Sequence, residues 1–273
     1  MIETVHLFPL LDAKLIKLLR SLSPDDWNRP TVAKLWTVKD VAAHLLDGNL
    51  RALSMVRDAH STPPDREINS YADLVGFLNQ LNADWVHASR RLSPQVLTDL
   101  LETTGAQYSE LMQTQEMDTD AIFSVAWAGE QISKNWFHIA REYTEKWHHQ
   151  QQIRDAVGQP GIMTRELFSP FIETLLRGLP HTYRNTNASL GTGIHIQITL
   201  EGSMDWYLVR HQDRWEIAKE FTTQPVAGIQ LDADTAWKLF TKALTPAQAS
   251  QTVILTGNEA LAAVALNLIA VMA

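Results

Sequence analysis

The sequence predicts an all-α helical bundle over residues 1–160 followed by a smaller α+β domain with an antiparallel sheet over residues 161–273. Apolar residues recur at helical spacing up to residue 158, and no stretch there alternates as a strand. The segment IHIQITL at 194–200 then alternates strictly, and turn residues divide the remainder of the chain into short strands. Between the two patterns stand Gly158, suited to end a helix, and Pro160, which cannot continue one.

Residues 3–22 place Val5, Phe8, Leu11, Leu15, Leu18 and Leu19 on one helical stripe. Glu3, Asp12, Lys14 and Lys17 within it make this an amphipathic helix rather than a signal sequence. Ser23-Pro24-Asp25-Asp26-Trp27 opens a short helical turn that Pro30 ends. Thr37 and Asp40 form a capping-box pattern, and Trp36 and Val41 occupy the positions of a hydrophobic staple, so a helix begins near Val38. Residues 61–70, STPPDREINS, are a loop. A long helix runs from Tyr71 to Leu92, and Ser93-Pro94 opens another towards Met112, in which Gly105 is expected to weaken or break the helix. MDTDAIFSVAWAGEQ is a loop with one helical turn, placing Trp127 over the bundle mouth. The longest helix runs from Gln131 to Val157. Residues 163–178 form a further helix, and HTYRNTNASLGTG is a loop. IHIQITL, DWYLVR and WEIAKEF make an antiparallel meander, AGIQLDAD is a fourth strand, DTAWKLFTKAL a helix, QTVILTG a fifth strand and GNEALAAVALNLIAVMA a closing helix.

Composition narrows the function. A chain 45% apolar and 20% charged is an ordinary globular protein, and its formal charge of −8 with no basic cluster argues against a nucleic-acid surface. The apolar C-terminal run of about 14 residues is too short for a membrane span, so no membrane partner is expected and a cytoplasmic location is the default. Cysteine is absent, which excludes disulfides, thiolate metal ligands and a cysteine nucleophile. Any thiol chemistry here needs a thiol brought in as a small molecule.

The stretch His138 to Gly158 concentrates the chemistry. At about 100° per residue, His138, Glu142, Glu145 and His149 project within roughly 60° of one another. Two imidazoles and two carboxylates on one helix face suit a metal site in a bundle, but they also form ordinary i,i+4 pairs. His148 points about 100° away from His149 and is packed or solvated. His44, two turns inside its capped helix with Asp47 on the same side, is either a hydrogen-bonded core histidine or a group aimed across the bundle at Glu145 and His149. One histidine on one helix with a Glu and a His a turn apart on another is how bundles hold a divalent ion with coordination positions left open. Zn²⁺ suits such ligands, and Ni²⁺ or Fe²⁺ fit by ligand type.

TVKDVAAHLLDGNLR resembles the histidine-bearing second helix of the DinB-like metal-binding four-helix bundle superfamily, and especially its mycothiol-dependent maleylpyruvate isomerase-like branch, in which a Trp-Thr pair precedes that helix. EKWHHQQQI is similar to the fourth-helix motif, with Glu145 and His149 at ligand positions and Gln152 at a glutamine that often comes next. LSPDDWNRPTVAKLWT resembles the branch's first connection, and the C-terminal part is similar in layout to the sterol-carrier-like α+β domain that succeeds the bundle there. The resemblance implies His44, Glu145 and His149 as metal ligands, with His138 and Gln152 as supporting residues; Asp47 and Glu142 either orient the ligating imidazoles or are plain salt-bridge or surface residues. Gln150 and Gln151 depart from the basic residue and glycine of many relatives, and Gln152 replaces an Asp frequent in the isomerase branch. Arg210 and Arg214 are the candidates for a substrate-binding basic residue in the C-terminal domain.

The function so implied is that of a divalent-metal enzyme. It would use an external low-molecular-weight thiol, mycothiol-like or bacillithiol-like, for S-transfer to, or cis-trans isomerisation of, a small electrophilic substrate. The competing readings are a non-catalytic small-ligand-binding protein with a structural or vestigial metal site, and a metal-dependent hydrolase.

Overall fold

Local capping signals mark out the helices. The structure, a computed structural model, describes residues 1–271. Helix α1 (Phe8–Ser21) carries Pro9 in its first turn, where a missing N–H costs nothing. Helix α2 (Val38–Ala52) starts on a complete capping box: Thr37 Oγ1 accepts from Asp40 N at 3.3 Å, and the Asp40 carboxylate accepts from Thr37 N at 3.0 Å. Serine caps open α3 (Tyr71–Ser89) and α4 (Pro94–Gln113). Helix α5 (Asn135–Val157) ends at Gly158, whose φ of +66° is the left-handed conformation of a helix stop. Helix α4 runs unbroken through Gly105, contrary to expectation. A side chain there would meet Asp12 Oδ2 at 2.9 Å, so glycine admits α1 rather than breaking α4.

The chain forms two compact units: Glu3–Glu116 with Glu145–Ile162, and Met117–Thr144 with Met163–Val271 and Met1–Ile2. Helix α5 contributes to both. In the first unit, Leu15, Leu18, Val41, Leu45, Leu97, Leu101 and Ile153 are buried in one cluster, which joins α1, α2, α4 and α5 as a bundle. Helix α3 lies on α2, with Trp85 Nε1 donating to Ala43 O at 2.8 Å. A polar seam ties α5 to α1. Lys146 Nζ lies 2.9 and 3.1 Å from the Asp12 carboxylate oxygens and 4.6 Å from the centre of the Tyr108 ring. Arg154 Nη2 donates to Lys14 O at 3.0 Å, and the fully buried Gln150 is satisfied with its amide nitrogen donating to Leu11 O at 3.0 Å.

In the second unit, α6 (Arg165–Leu176) and α7 (Leu179–Thr182) precede strands β1 (Gly193–Thr199), β2 (Ser203–Arg210), β3 (Trp215–Ala218) and β4 (Ala227–Asp232). Helices α8 (Ala233–Phe240) and α9 (Pro246–Ala249), strand β5 (Ile254–Gly257) and α10 (Glu259–Ala263) complete it. Among the described residues the sheet order is β3-β2-β1-β4-β5. Its pairs are antiparallel except β1–β4, which runs parallel because the chain crosses from the β3 edge to lie beside β1. Ile194, Ile196 and Ile198 are buried, while His195, Gln197 and Thr199 line the other face, as the alternation requires. Trp127 is packed against the Phe137 ring at 6.0 Å and beside Gly178, inside this unit. The closing helix is shorter than its composition suggests. After α10 and a 3-10 turn at Val264–Asn267 the chain becomes extended, with Ala270 N pinned to Phe240 O at 2.9 Å. Met272 and Ala273, the last residues of that expected helix, lie outside the described residues. Among the described residues, no helix is long and apolar enough to cross a membrane.

Replacing Thr37 by Ala removes the cap of α2 and is expected to lower stability by about 1 kcal/mol in urea unfolding, whereas Thr37→Ser keeps most of it.

Candidate metal centre

Helices α2 and α5 bring His44, Glu145 and His149 together, with one ligand atom from each lying within 4.8 Å of the others. His149 Nε2 is 3.4 Å from Glu145 Oε2, and the His44 and His149 rings are centred 4.6 Å apart at 73°. Bonds of about 2.05 Å in a tetrahedral arrangement hold ligand atoms about 3.3 Å apart. The His149–Glu145 edge already has that length.

The protonation pattern suits a cation. His149 Nδ1 donates to Gln152 Oε1 at 2.9 Å, which fixes the ring with Nε2 facing the Glu145 carboxylate. A divalent cation between the two atoms would be held by both of them. His44 Nδ1 is buried with no hydrogen-bond partner. Burial holds the His44 pKa well below the usual 6.5, His149 adds to the effect, and Glu145 opposes it. His44 is therefore neutral at pH 7, as a ligating imidazole must be. Two imidazole nitrogens and one carboxylate oxygen match a borderline divalent ion and leave coordination positions for water or a further ligand.

The surroundings are asymmetric. The Trp36 ring lies 4.8 Å from the His44 ring and 6.1 Å from that of His149, covering both. From sequence, Trp36 has a place in a helix staple and in the Trp-Thr pair that precedes the histidine-bearing helix, but not a place against the imidazoles; the signal available was a large aromatic immediately before the cap of that helix. His148 is buried, its ring 3.9 Å from that of His149. Glu145 keeps 26% of its side chain exposed against 9% for His149, so the group opens on the Glu145 side.

The other expected residues take varied places. Gln152 orients His149 directly. Asp47 lies 3.0 Å from Arg51 Nε; burial raises its pKa and Arg51 opposes the rise. His138 and Glu142 share the face of Glu145 but both engage Arg141, with Arg141 Nη2 3.3 Å from His138 Nδ1 and ion-paired to Glu142. Neither is among the three residues drawn within 4.8 Å. Arg210 lies 5.9 Å from the Trp215 ring, and Arg214 is ion-paired with Glu216 in the β2–β3 turn.

Residues 8–154 match the family described as the mycothiol maleylpyruvate isomerase N-terminal domain. Two solved structures are similar to this chain. One is a crystal structure of the mycothiol-dependent maleylpyruvate isomerase, with a TM-score of 0.56 and 11% identity. The other is a histidine-to-alanine mutant of that enzyme, with a TM-score of 0.57 and 10% identity. Each alignment covers 92% of this chain and 91% of the other. These likenesses establish a shared fold. No curated protein matches the sequence.

Two outcomes are expected. Metal analysis of the purified protein should find a divalent ion near one per chain. His44→Ala and Glu145→Ala should lose it, and Gln152→Ala should bind it about 10- to 100-fold more weakly. Acid stability should reflect His138. Its pKa is lowered by burial, with Glu142 opposing and Arg141 adding to the shift. On acidification the unfolded chain takes up this proton first, so the contribution is full above pH 6.5 and falls as pH drops below it. His138→Gln should flatten the fall of denaturation midpoint in that range.

Proposed function

The chain belongs to the mycothiol maleylpyruvate isomerase N-terminal domain family, and from that premise we propose that it is a metal-dependent enzyme that uses an external low-molecular-weight thiol on a small electrophilic substrate. Isomerisation of a cis-unsaturated acid is the reaction proposed, with S-transfer as the related outcome. The observation that carries the reading is the His44, Glu145 and His149 group in a chain without cysteine. Such a group can activate a thiol, and the chain supplies none of its own.

The residues divide the work by position. His44, Glu145 and His149 would hold the ion, Zn²⁺ by ligand type, with Ni²⁺ or Fe²⁺ also compatible. When bound, the ion supplies positive charge that favours thiolate over thiol at neutral pH. Gln152 keeps the His149 tautomer with Nε2 free to ligate. Trp36 shields both imidazoles on one side and so limits the directions from which a substrate reaches the group. In the isomerisation, the sulfur bonds to one carbon of the conjugated double bond, the remaining carbon–carbon single bond rotates, and the carbon–sulfur bond breaks to release the trans product and the thiol. In transfer, the carbon–sulfur bond persists and the neighbouring carbon takes a proton. In this reading residues 1–160 form the metal-binding part and residues 161–273 a sterol-carrier-like domain. Arg210 and Arg214 of that domain remain the candidate basic residues for a substrate carboxylate.

The test is absorbance-monitored turnover of maleylpyruvate by metal-loaded protein with a panel of small thiols, mycothiol included. Conversion should require both thiol and metal, and His149→Ala should lower it at least about 100-fold. Thiol-independent conversion, or none with any thiol, would sink the proposal.

A further inference from the structure

Helices α2 and α5 run antiparallel. Val38 N donates to Arg29 O at 3.0 Å, Arg29 Nη1 donates to Ala156 O at 3.4 Å, and further along the His44 and His149 rings meet. Residues beyond His44 on α2 therefore stand level with residues before His149 on α5, and Glu145 is reached about one turn past His44. Arg51 comes seven residues after His44, which returns it to within about 20° of the same helix face. Its side chain runs back towards the start of the helix, since Nε lies 3.0 Å from Asp47 Oδ2. The guanidinium thus sits one turn from His44, on the Glu145 side.

That side is the open one. Trp36 covers the two imidazoles at the other end, whereas the Glu145 and Arg51 side chains are 26% and 42% exposed. Arg51 Nε is buried against the Asp47 carboxylate, 3.0 Å away, which leaves the terminal amino groups of the partly exposed guanidinium as the donors for a ligand. A planar guanidinium with spare donors matches a carboxylate in geometry as well as charge.

We propose that Arg51 binds the carboxylate of a small anionic substrate at the open side of the His44, Glu145 and His149 group. Arg51 then decides which electrophiles are accepted: acids are held with their unsaturated carbons towards the metal position, and neutral esters or amides are not. This rests on the reading of the group as a metal centre that meets an acidic substrate, and it assigns to the bundle itself a role otherwise sought on the β-meander.

The experiment is calorimetric titration of the metal-loaded protein with succinate, a dicarboxylate that cannot add a thiol, for wild type, Arg51→Met and Arg51→Lys. Succinate should bind wild type, Arg51→Met should weaken it about 10- to 100-fold, and Arg51→Lys should fall between because it offers charge without the fork. All three should keep the same metal content. Equal succinate affinities, or metal loss in Arg51→Met, would overturn the assignment. A variant that loses affinity for the thiol instead of succinate would also overturn it, by placing Arg51 on the thiol carrier. In turnover, the preference for an unsaturated acid over its methyl ester should drop in Arg51→Met by a similar factor. Arg51-dependent succinate binding without any thiol-dependent turnover would leave this inference standing while removing the isomerase reading.

Discussion

The rotational setting of α5 is the constraint on which the candidate centre depends. Glu145, His149 and Gln152 share one face of that helix, and Lys146, Gln150 and Arg154 share another about 90° to 170° away. The second face is bound to α1 through the buried Lys146–Asp12 pair, the Gln150 amide and the Arg154 contact to Lys14 O. A rotation of one residue about the helix axis would strand a buried ammonium and a buried guanidinium, each costing several kcal/mol. With that face held against α1, Glu145 and His149 are left facing α2. Gly105 belongs to the same device, since only a residue without a side chain lets Asp12 lie where Lys146 can reach it.

Helix α2 contributes the complementary half. Its capping box sets the first turn, so the axial position of His44 is counted from Thr37, and the Trp36 ring just before the cap folds over both imidazoles. The same local motif that starts the helix therefore closes one end of the ligand group. Beyond His44 the face changes character, from aromatic cover to the Asp47 and Arg51 pair. One helix thus presents a sheltered end and a charged, partly exposed end to the same three ligand atoms.

Much of this was legible in residue spacing. Helical periodicity located α1, α2 and α4 because each buries an apolar stripe, whereas α5 buries polar residues such as Lys146, Gln150 and Arg154 and was legible from its His and Glu spacing and its Gly158 stop; strict alternation located β1 because the sheet buries one face. The Glu145 and His149 pair was legible because i,i+4 geometry is local. What spacing left open was decided by contacts between distant residues. His138 and Glu142 share the angle of Glu145, yet Arg141, their neighbour in sequence, engages them both, and no periodicity reports which of two partners a carboxylate takes. Gly105 reads as a helix breaker until Asp12 is known to approach it. The parallel pairing of β1 with β4 and the early end of α10 depend on where the chain returns, which local pattern does not encode.

The arrangement also separates folding from ligation. The seam to α1, the apolar cluster around Leu45, Leu97 and Ile153, and the cap at Thr37 hold α2 and α5 without any contribution from the three ligand residues. The candidate ligand group holds one buried atom without a partner, His44 Nδ1, and sets His149 Nε2 3.4 Å from a Glu145 carboxylate oxygen. In a scaffold that needed its metal to fold, the core would be sparse and the ligands would supply the missing stability. Here the apolar cluster stands without the three candidate ligands, so a cation at that group would enter a frame already built. Pre-organisation of that kind favours a centre with free coordination positions, because none of the bonds to the ion is required to keep the helices in place.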